Sequence, residues 1–379
     1  MDVVQFNFPT RILFGAGASQ RLVPVLQEQG KQRVLFVTDR ALAGLDFFQT
    51  LVKNAQDSGL NVAVFSEFSG NPVESQVVAG AAACKAHGAD ALVAIGGGAA
   101  LDVGKAIALM AHHPGELFDY EDDKPDGRPV DQPIPFIVAI PTTSGTGSEV
   151  GRSSVISDDK THVKRIIFSP RLLAPIVLAD PELTFALPPH ITAATGMDAI
   201  SHCVEAFVSK GFHPLCDGIA LEGVHLAAGS LLQCYREPKH LSSRRDMMAA
   251  SLMGAVAFQK GLGVTHSCAH ALSAVCDIHH GLANALMLAA CMRFNASVVP
   301  DRLARLAVAA GAGSTPDDFV AWLESLTQSL NVPANLRAAG VSETQIGALT
   351  EIAVNDVCHP CNPRAVSRED FEALFRAAL

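Results

Sequence analysis

The chain has 379 residues, of which 49% are hydrophobic and 17% charged, and its formal net charge at pH 7 is −10. This length is more than one hydrophobic core usually serves, so it predicts two domains, and the composition excludes a disordered or fibrous protein. The net negative charge, with Lys and Arg scattered along the chain, argues against binding to nucleic acid and against electrostatic anchoring to a membrane.

The N-terminal segment MDVVQFNFPTRILFGAG lacks the features of a secretory signal, because an acid stands at position 2 and Asn7, Pro9 and Arg11 interrupt the apolar run. No uninterrupted apolar run reaches membrane-spanning length. The nine cysteines are odd in number and lie mostly in apolar segments, which indicates reduced thiols rather than a disulfide framework. These features predict a cytoplasmic protein.

The two halves of the chain differ in texture. From about residue 30 to residue 180, the β-rich runs RVLFVTD, NVAVFSE, ALVAIGGG and PFIVAIPTT alternate with Ala-rich amphipathic segments, which predicts a parallel sheet with crossover helices. After Pro188, stretches such as HITAATGMDAISHCVEAFVSK and RRDMMAASLMGAVAF predict helices. The proline-rich RLLAPIVLADPELTFALPP suits a segment that crosses between domains. We therefore expect an α/β domain over 1–185 and a helical domain over 186–379.

Asp39 ends the β-rich run RVLFVTD. An acid at the carboxyl end of such a strand can accept hydrogen bonds from an adenine-ribose diol and would repel a 2′-phosphate. A helix N-cap for the segment RALAGLDFF would use the same residue. The acid precedes the glycine loop by nearly sixty residues, so the order differs from the usual dinucleotide fingerprint.

A glycine triplet ends the β-rich run ALVAIGGG. In ALVAIGGGAALDVGKA, a buried strand leads into Gly96, Gly97 and Gly98 and then into a helix, so backbone N–H groups can meet a phosphate without interference from side chains. A plain strand-to-helix turn can have the same triplet. After the next run, PTTSGTGSEV (141–150) offers small hydroxyl and glycine residues that can approach a nucleotide closely, or it forms a generic polar turn.

The helical half contains metal-ligand residue types. In GMDAISHCVEA, Asp198 and His202 are four residues apart, so on a helix both side chains project from one face. A carboxylate and an imidazole placed in this way can take two corners of a divalent metal site, or they can simply hydrogen-bond as neighbours.

The segment GVTHSCAHALSAVCDIHHG (263–281) contains five histidines in an apolar stretch. His266 and His270 share a helix face, and His280 could return to the same place from the start of the next helix. Buried imidazoles are costly unless their nitrogens are satisfied, and metal coordination satisfies them. Asp198, His202, His266 and His280 together make a complete ligand set. His270 is left over, which suggests a proton carrier.

These motifs, with FNFPTRILFGAG, ADPELT and NPRAVSREDFEALF, resemble the iron-containing (group III) alcohol dehydrogenase family nearly from end to end. The resemblance implies a dehydroquinate synthase-like architecture. Its α/β N-terminal domain would have a Rossmann-like parallel sheet and bind the nucleotide, and its all-α C-terminal domain would bind metal. The active site would lie in the cleft between the two domains.

The resemblance also assigns residues by matching position. It implies a divalent metal, usually Fe²⁺ and sometimes Zn²⁺, at the four ligands, and it places His270 in the substrate pocket. Asp39 matches the acid that favours NAD over NADP, and Asp102 and Lys164 fall near the nicotinamide end. The residues so implied to bind NAD are Asp39, Gly96, Gly97, Gly98, Asp102, Thr142, Thr143 and Lys164.

Several positions depart from the family pattern without removing a metal ligand. They are Ala99, Gly151, Ser273 and His279, where serine, threonine, glycine and proline are common. Arg152 could anchor a substrate carboxylate or form a structural salt bridge. The pair in CHPC, Cys358 and Cys361, has redox or half-zinc spacing, but it has no second pair or thioredoxin-like setting, and we interpret it as incidental.

Together these features predict an NAD-dependent, metal-dependent dehydrogenase of a small primary alcohol or its aldehyde. We expect a homo-oligomer such as a homodimer, with neither nucleic acid nor membrane as a partner. Three alternatives stay open: a metal-free enzyme like maleylacetate reductase, a metal-assisted lyase of the dehydroquinate synthase type, and a non-catalytic regulatory protein on the same fold.

Overall fold

The computed structural model describes residues 7–8, 10–122, 124–161 and 163–379. The first six residues, on which much of the interpretation of the N-terminus depends, lie outside this part. Residue contacts divide the chain into two compact units. An α/β unit comprises the described residues of Pro9–Thr143 and Gly147–Thr184, and a helical unit comprises those of Met1–Phe8, Ser144–Thr146 and Phe185–Leu379.

All strands found among the described residues lie in the α/β unit. They are β1 (Arg11–Phe14), β2 (Arg33–Val37), β3 (Asn61–Phe65), β4 (Ala91–Gly96), β5 (Phe136–Pro141), β6 (Ser153–Ser157), β7 (Lys164–Phe168) and β8 (Ile176–Ala179).

The helices alternate with the strands at first and then follow one another without strands. Those of the α/β unit are α1 (Leu22–Glu28), α2 (Arg40–Ala43), α3 (Asp46–Asp57), α4 (Glu74–His87) and α5 (Gly98–Met110). Those of the helical unit are α6 (Pro189–Val208), α7 (Pro214–Arg236), α8 (Leu241–Ala257), α9 (Val264–Cys276), α10 (His280–Asn295), α11 (Pro300–Ala309), α12 (Pro316–Ser329), α13 (Ile346–Val354) and α14 (Arg368–Ala378).

Six strands form one parallel sheet in the order β1-β8-β5-β4-β2-β3. Every residue of β4 is buried, as expected of a central strand covered on both faces. The chain leaves β2 towards β3 on one side and leaves β4 towards β5 on the other. The neighbouring strands β2 and β4 therefore form a switch point, where the carboxyl ends of α/β sheets open a crevice for ligands. The predicted fold class is confirmed.

Three features of the α/β unit were not foreseen. The strand β1 precedes the region in which strands were predicted. The strands β6 and β7 pair as an antiparallel ribbon outside the main sheet. The proline-rich segment, within which the α/β unit ends at Thr184, also contains β8, which pairs with β1 and β5 inside the sheet. The run IVLA is short and wholly buried, and the prolines on either side of it masked its strand pattern.

The helical unit has its own apolar core, built on α6, whose residues from Thr192 onward are all buried. Helix α7 is long and apolar enough to span a membrane by length and composition alone. It packs against α6, α8 and α11, and core helices of soluble proteins pass the same test. All nine cysteines are free thiols, seven of them buried.

Candidate functional site

Helix α6 contributes two of the four predicted metal ligands. Asp198 and His202 lie one turn apart on the same face, with Oδ1 of the carboxylate 3.8 Å from Nε2 of the imidazole. Both side chains are almost inaccessible to solvent. The spacing of four residues therefore places both groups as the sequence predicted.

A tight connection between α9 and α10 brings His280, another predicted ligand, to this face. Asp277 has φ 53°, the left-handed conformation that ends α9, and the hydroxyl of Ser273 donates to the carbonyl of Ile278 at 2.9 Å. Helix α10 then begins at His280. A Cβ on the next residue, Gly281, would lie 2.2 Å from the carbonyl oxygen of Ala194, so the glycine allows α10 to approach α6 closely.

The four predicted ligands converge. The Nε2 atoms of His202, His266 and His280 lie 3.8, 3.9 and 3.5 Å from Oδ1 of Asp198. One donor atom from each of the four residues lies within 4.8 Å of the others. Three imidazole nitrogens and one carboxylate oxygen pointing at a common point fit a divalent ion such as Fe²⁺ or Zn²⁺.

Burial favours the neutral, metal-binding form of His202 but does not decide the pKa of His266. It lowers the pKa of His202 to about 4, although the charge of Asp198 acts in the opposite direction. The imidazole is therefore neutral at pH 7, the form that binds metal. For His266, burial alone would lower the pKa, but the hydrogen bond and charge of Glu205 outweigh burial and raise it.

Glu205, which holds the predicted ligand His266, was missed by the sequence analysis. Its carboxylate is fully buried and accepts from Nδ1 of His266 at 2.6 Å. It also accepts from the backbone N–H groups of Gly263, Thr265 and His266. Because Nδ1–H of His266 is held by a carboxylate, Nε2 is the nitrogen that faces the other ligands. Its position three residues after His202, on the same helix, was the available signal.

Asn284 is a second residue that was missed. Its Nδ2 donates to Oδ1 of Asp198 at 2.7 Å and lies 3.4 and 3.3 Å from Nε2 of His266 and His280. The side chain is fully buried. Asn284 thus orients the carboxylate of Asp198. It stands four residues after His280 on α10, which puts both side chains on one face.

His270 lies next to the ligand group. Its ring is 5.2 Å from that of His280, and its Nδ1 is 2.7 Å from Oδ2 of Asp356. The hydroxyl of Ser267 and the N–H of Cys358 donate to Oδ1 of Asp356. Burial would raise the pKa of Asp356, but His270 and these hydrogen bonds hold it well below its usual value. No sequence signal pointed to Asp356, which lies 86 residues from His270.

Six of the eight predicted nucleotide residues lie at or just after the carboxyl ends of the neighbouring strands β2, β4 and β5: Asp39, Gly96, Gly97, Gly98, Thr142 and Thr143. Asp39 caps α2, and its Oδ1 accepts from the N–H groups of Ala41 and Leu42. The N-cap interpretation of Asp39 is therefore correct. Its Oδ2 lies 3.9 Å from where a Cβ of Gly96 would stand, so the acid borders the glycine loop. An N-cap role and a ribose-binding role are compatible, because the cap uses only one carboxylate oxygen.

The glycine loop joins β4 to α5. Gly96 has φ 147°, which favours glycine, and a Cβ there would lie 2.6 Å from Cβ of Ala100. Gly97 is the N-cap and Gly98 the first residue of the thirteen-residue helix α5. At the end of β5, Thr142 donates its N–H to the carbonyl of Gly96, and the methyl group of Thr143 would lie 3.3 Å from a Cβ of Gly97.

Asp102 lies on α5, where both of its carboxylate oxygens are engaged. Oδ1 accepts from the hydroxyl of Ser148 at 2.6 Å, and Oδ2 accepts from the N–H of Val155 at 3.1 Å. Burial raises the pKa of Asp102, although Lys105 opposes this effect. Lys164, the other residue matched to the nicotinamide end, is the first residue of β7 and is half-buried.

Beside Asp102, the buried Lys105 and Glu149 form a cluster that was not predicted. The ammonium of Lys105 donates to the carbonyl and hydroxyl of Ser148 and to the carbonyl of Ser153. Burial raises the pKa of Glu149 to about 7.

The residues whose roles the sequence analysis did not decide lie in different local environments. The guanidinium of Arg152 lies 5.2 Å over the ring of Phe168, and no salt bridge within the described part of the chain includes it. His279 is exposed at the start of α10. Cys358 is buried and Cys361 half-buried, both as free thiols.

The α/β unit has a parallel sheet with a glycine loop at its switch point. The helical unit has a group of three histidines and one aspartate that could hold a metal ion. Together they define a class of proteins with one α/β unit and one helical unit. The family model "Iron-containing alcohol dehydrogenase" matches residues 9–181, and the model "Fe-containing alcohol dehydrogenase family, C-terminal" matches residues 192–379. The chain belongs to the iron-containing alcohol dehydrogenase family, a family of oxidoreductases.

Individual relatives are similar to this chain over nearly its whole length. A 4-hydroxybutyrate dehydrogenase of Cupriavidus necator is 39% identical over 382 residues, covering 98% of each chain. The crystal structure of a 1,3-propanediol oxidoreductase has a TM-score of 0.95 at 33% identity and covers 100% of both chains. A sulfoacetaldehyde reductase from Bifidobacterium kashiwanohense in complex with NAD⁺ has a TM-score of 0.92 at 29% identity, with 100% of this chain and 99% of that chain covered.

Proposed function

We propose that the protein is an NAD-dependent, metal-dependent oxidoreductase that transfers a hydride between NAD(H) and a small primary alcohol or its aldehyde. The observation that carries this proposal is the convergence of three Nε2 atoms on Oδ1 of Asp198, with His270 beside them. In this proposal, residues 1–185 form the NAD-binding domain and residues 186–379 the metal-binding domain.

Each bound group has a defined task. A divalent metal, Fe²⁺ or alternatively Zn²⁺, held by Asp198, His202, His266 and His280 would act as a Lewis acid on the substrate oxygen. NAD would supply the nicotinamide that accepts or donates the hydride.

His270 is the proposed proton carrier. Asp356 holds the imidazole by Nδ1, which fixes the ring and leaves Nε2 to exchange a proton with the substrate. The carboxylate stabilises the imidazolium formed when Nε2 accepts the alcohol proton during oxidation. In the reverse direction the same nitrogen donates the proton. Asp356 therefore acts as a positioning residue for His270.

The carboxyl edge of the sheet is the proposed NAD site. The backbone N–H groups at the start of α5, around Gly97 and Gly98, suit the pyrophosphate. Asp39 would accept from the ribose diol and disfavour a 2′-phosphate. Thr142 and Thr143 would line the nucleotide pocket, and Asp102 and Lys164 would lie towards the nicotinamide.

The charge of Arg152 extends the proposed substrate class to anionic alcohols. Arg152 is held by a contact with an aromatic ring and by no salt bridge within the described residues, so its charge is available to an anionic substrate. The relative from Cupriavidus necator is named for a hydroxy acid, 4-hydroxybutyrate. We therefore include ω-hydroxy acids, beside neutral alcohols and diols, among the proposed substrates. We further propose a cytoplasmic homodimer, since symmetric dimers are the commonest assemblies.

Turnover of NADH tests the proposal. NADH oxidation is followed with aldehydes of three kinds: the semialdehyde of 4-hydroxybutyrate, 3-hydroxypropanal and simple aliphatic aldehydes. We expect turnover with at least one, lost in His266→Ala and kept in His190→Ala, an exposed histidine on α6. A lyase would show no net NADH consumption, and a non-catalytic protein would show none with any compound. An enzyme like maleylacetate reductase would keep its activity in His266→Ala.

A further inference from the structure

A buried arginine in the helical unit has no carboxylate partner. Arg244, on α8, is only 2% exposed to solvent. Its Nε donates to the carbonyl of Pro238 at 2.8 Å, and its Nη1 donates to the hydroxyl of Thr192 at 3.1 Å. Its Nη2 is buried and has no hydrogen-bond partner, and Arg244 takes part in no salt bridge with any described residue.

This cation is uncompensated by the protein. A guanidinium stays protonated at any physiological pH, although burial lowers the pKa of Arg244. The titratable group that acts on it is the thiol of Cys234, whose own pKa burial raises to about 11, so that it is neutral. An isolated buried charge is costly, and buried charges are therefore paired.

The space beside Arg244 can hold a partner. A cavity of about 10 Å³ is lined by both polar and apolar side chains, and this is room for one water-sized ligand. Ser144 also lines it, is 6% exposed, and has a buried hydroxyl without a hydrogen-bond partner. The remaining lining residues are Thr192, Thr195, Gly196, Leu231, Cys234 and Met247.

We propose that this cavity binds one monovalent anion of the size of chloride, between Nη2 of Arg244 and Oγ of Ser144. An anion compensates the guanidinium charge, which a water molecule would leave uncompensated. Sulfate and phosphate are too large for a space that holds one water-sized ligand. This site is separate from the metal ligands and does not depend on the proposed activity.

The anion has a structural consequence. Ser144 directly follows Thr142 and Thr143, and the neighbouring Gly145 packs so closely on α6 that a Cβ there would lie 2.8 Å from Cβ of Thr195. An anion shared by Ser144 and Arg244 therefore ties this loop to α8 as well as to α6. Binding should stabilise the folded helical unit in proportion to the logarithm of the anion concentration.

Thermal unfolding in chloride is the first test. The purified full-length protein is heated in increasing sodium chloride, with sodium gluconate keeping the ionic strength constant. Once the chloride concentration exceeds the Kd of the site, we expect Tm to rise by about 2–3 °C for each tenfold increase in chloride. Ser144→Ala removes one donor and should weaken chloride binding at least tenfold, and Arg244→Met should abolish it. Arg245→Met is the matched control, because that arginine is exposed on the same helix and pairs with Asp246.

Crystals grown in sodium bromide locate the ion directly. The proposal predicts an anomalous bromide peak within hydrogen-bonding reach of Nη2 of Arg244 and Oγ of Ser144, lost in Ser144→Ala crystals or much weakened there. If Arg244→Met does not fold, the Ser144→Ala comparison still decides. A Tm that is equal in chloride and gluconate, or density in the cavity without a bromide signal, would overturn the proposal in favour of water.

Discussion

Replacing Glu205 by glutamine removes one negative charge behind His266, a proposed metal ligand, while keeping the shape of the side chain. In the wild-type protein, Oε2 accepts from Nδ1 of His266 and from the N–H groups of Gly263 and His266, and Oε1 accepts from the N–H of Thr265. In Glu205→Gln, the amide oxygen can take the place of Oε2. The amide NH₂ then faces the N–H of Thr265, and two donors oppose each other.

The expected magnitudes follow from these contacts. One buried backbone N–H loses its acceptor, which costs about 1–3 kcal/mol of unfolding free energy. The bond to Nδ1 of His266 loses its charge assistance and weakens. Loss of an outer-shell carboxylate typically lowers metal affinity about 10–100-fold, which corresponds to about 1.4–2.7 kcal/mol.

Two assays separate these effects. Urea unfolding of the metal-free protein gives the stability change, and chelator competition with Fe²⁺ or Zn²⁺ gives the affinity change. The control is Glu222→Gln, a neutralised acid at an exposed position on α7. If folded Glu205→Gln bound metal as tightly as the wild-type protein, the carboxylate would not prepare His266 for coordination, and the reasoning would be refuted.

Three further substitutions test the α/β unit. Burial raises the pKa of Glu149 to about 7. The protonated side chain therefore stabilises the folded protein fully below pH 4.5, and this stabilisation, about 3 kcal/mol of unfolding free energy, is lost as the pH rises to 7. In Glu149→Gln this pH-dependent loss should be absent when the unfolding free energy is measured against pH. In Gly97→Ala, φ of −77° permits alanine, but the methyl group would lie 3.3 Å from Thr143 at the phosphate end of α5. The Kd of NADH, measured by fluorescence titration, should rise about tenfold, whereas Gly347→Ala, which adds its methyl group to open space, should leave it unchanged. Asp39→Asn keeps the helix cap but removes the charge, so the ratio of kcat/KM for NADPH over NADH should rise about tenfold.

The parts of the site that sequence predicted best are those within one helix or at the end of one strand. Asp198 and His202 share a face because a helix repeats every 3.6 residues, and the glycine triplet lies at the start of α5 because a buried strand leads into it. The return of His280 to the same point was also predicted. The close approach of α10 to α6 that permits it depends on Gly281, whose role is visible only in the packing.

The unpredicted residues make contacts between segments distant in sequence. Asp356 reaches His270 across 86 residues, and Arg244 reaches Thr192 across 52. No periodic pattern encodes such pairs, since they arise from tertiary packing. The strand β8 was missed for a related reason: its pairing with β1, at the opposite end of the domain sequence, places a short proline-flanked run inside the sheet.

The metal content of the protein tests the central claim most directly. The wild-type protein and His266→Ala are purified anaerobically and examined by elemental analysis, with His190→Ala as the folded control. We predict Fe or Zn in equimolar amount with the wild-type chain and with His190→Ala, and its loss from His266→Ala together with NADH-dependent aldehyde reduction. A metal-free wild-type protein that still oxidises NADH with a substrate would contradict the account and favour chemistry like that of maleylacetate reductase.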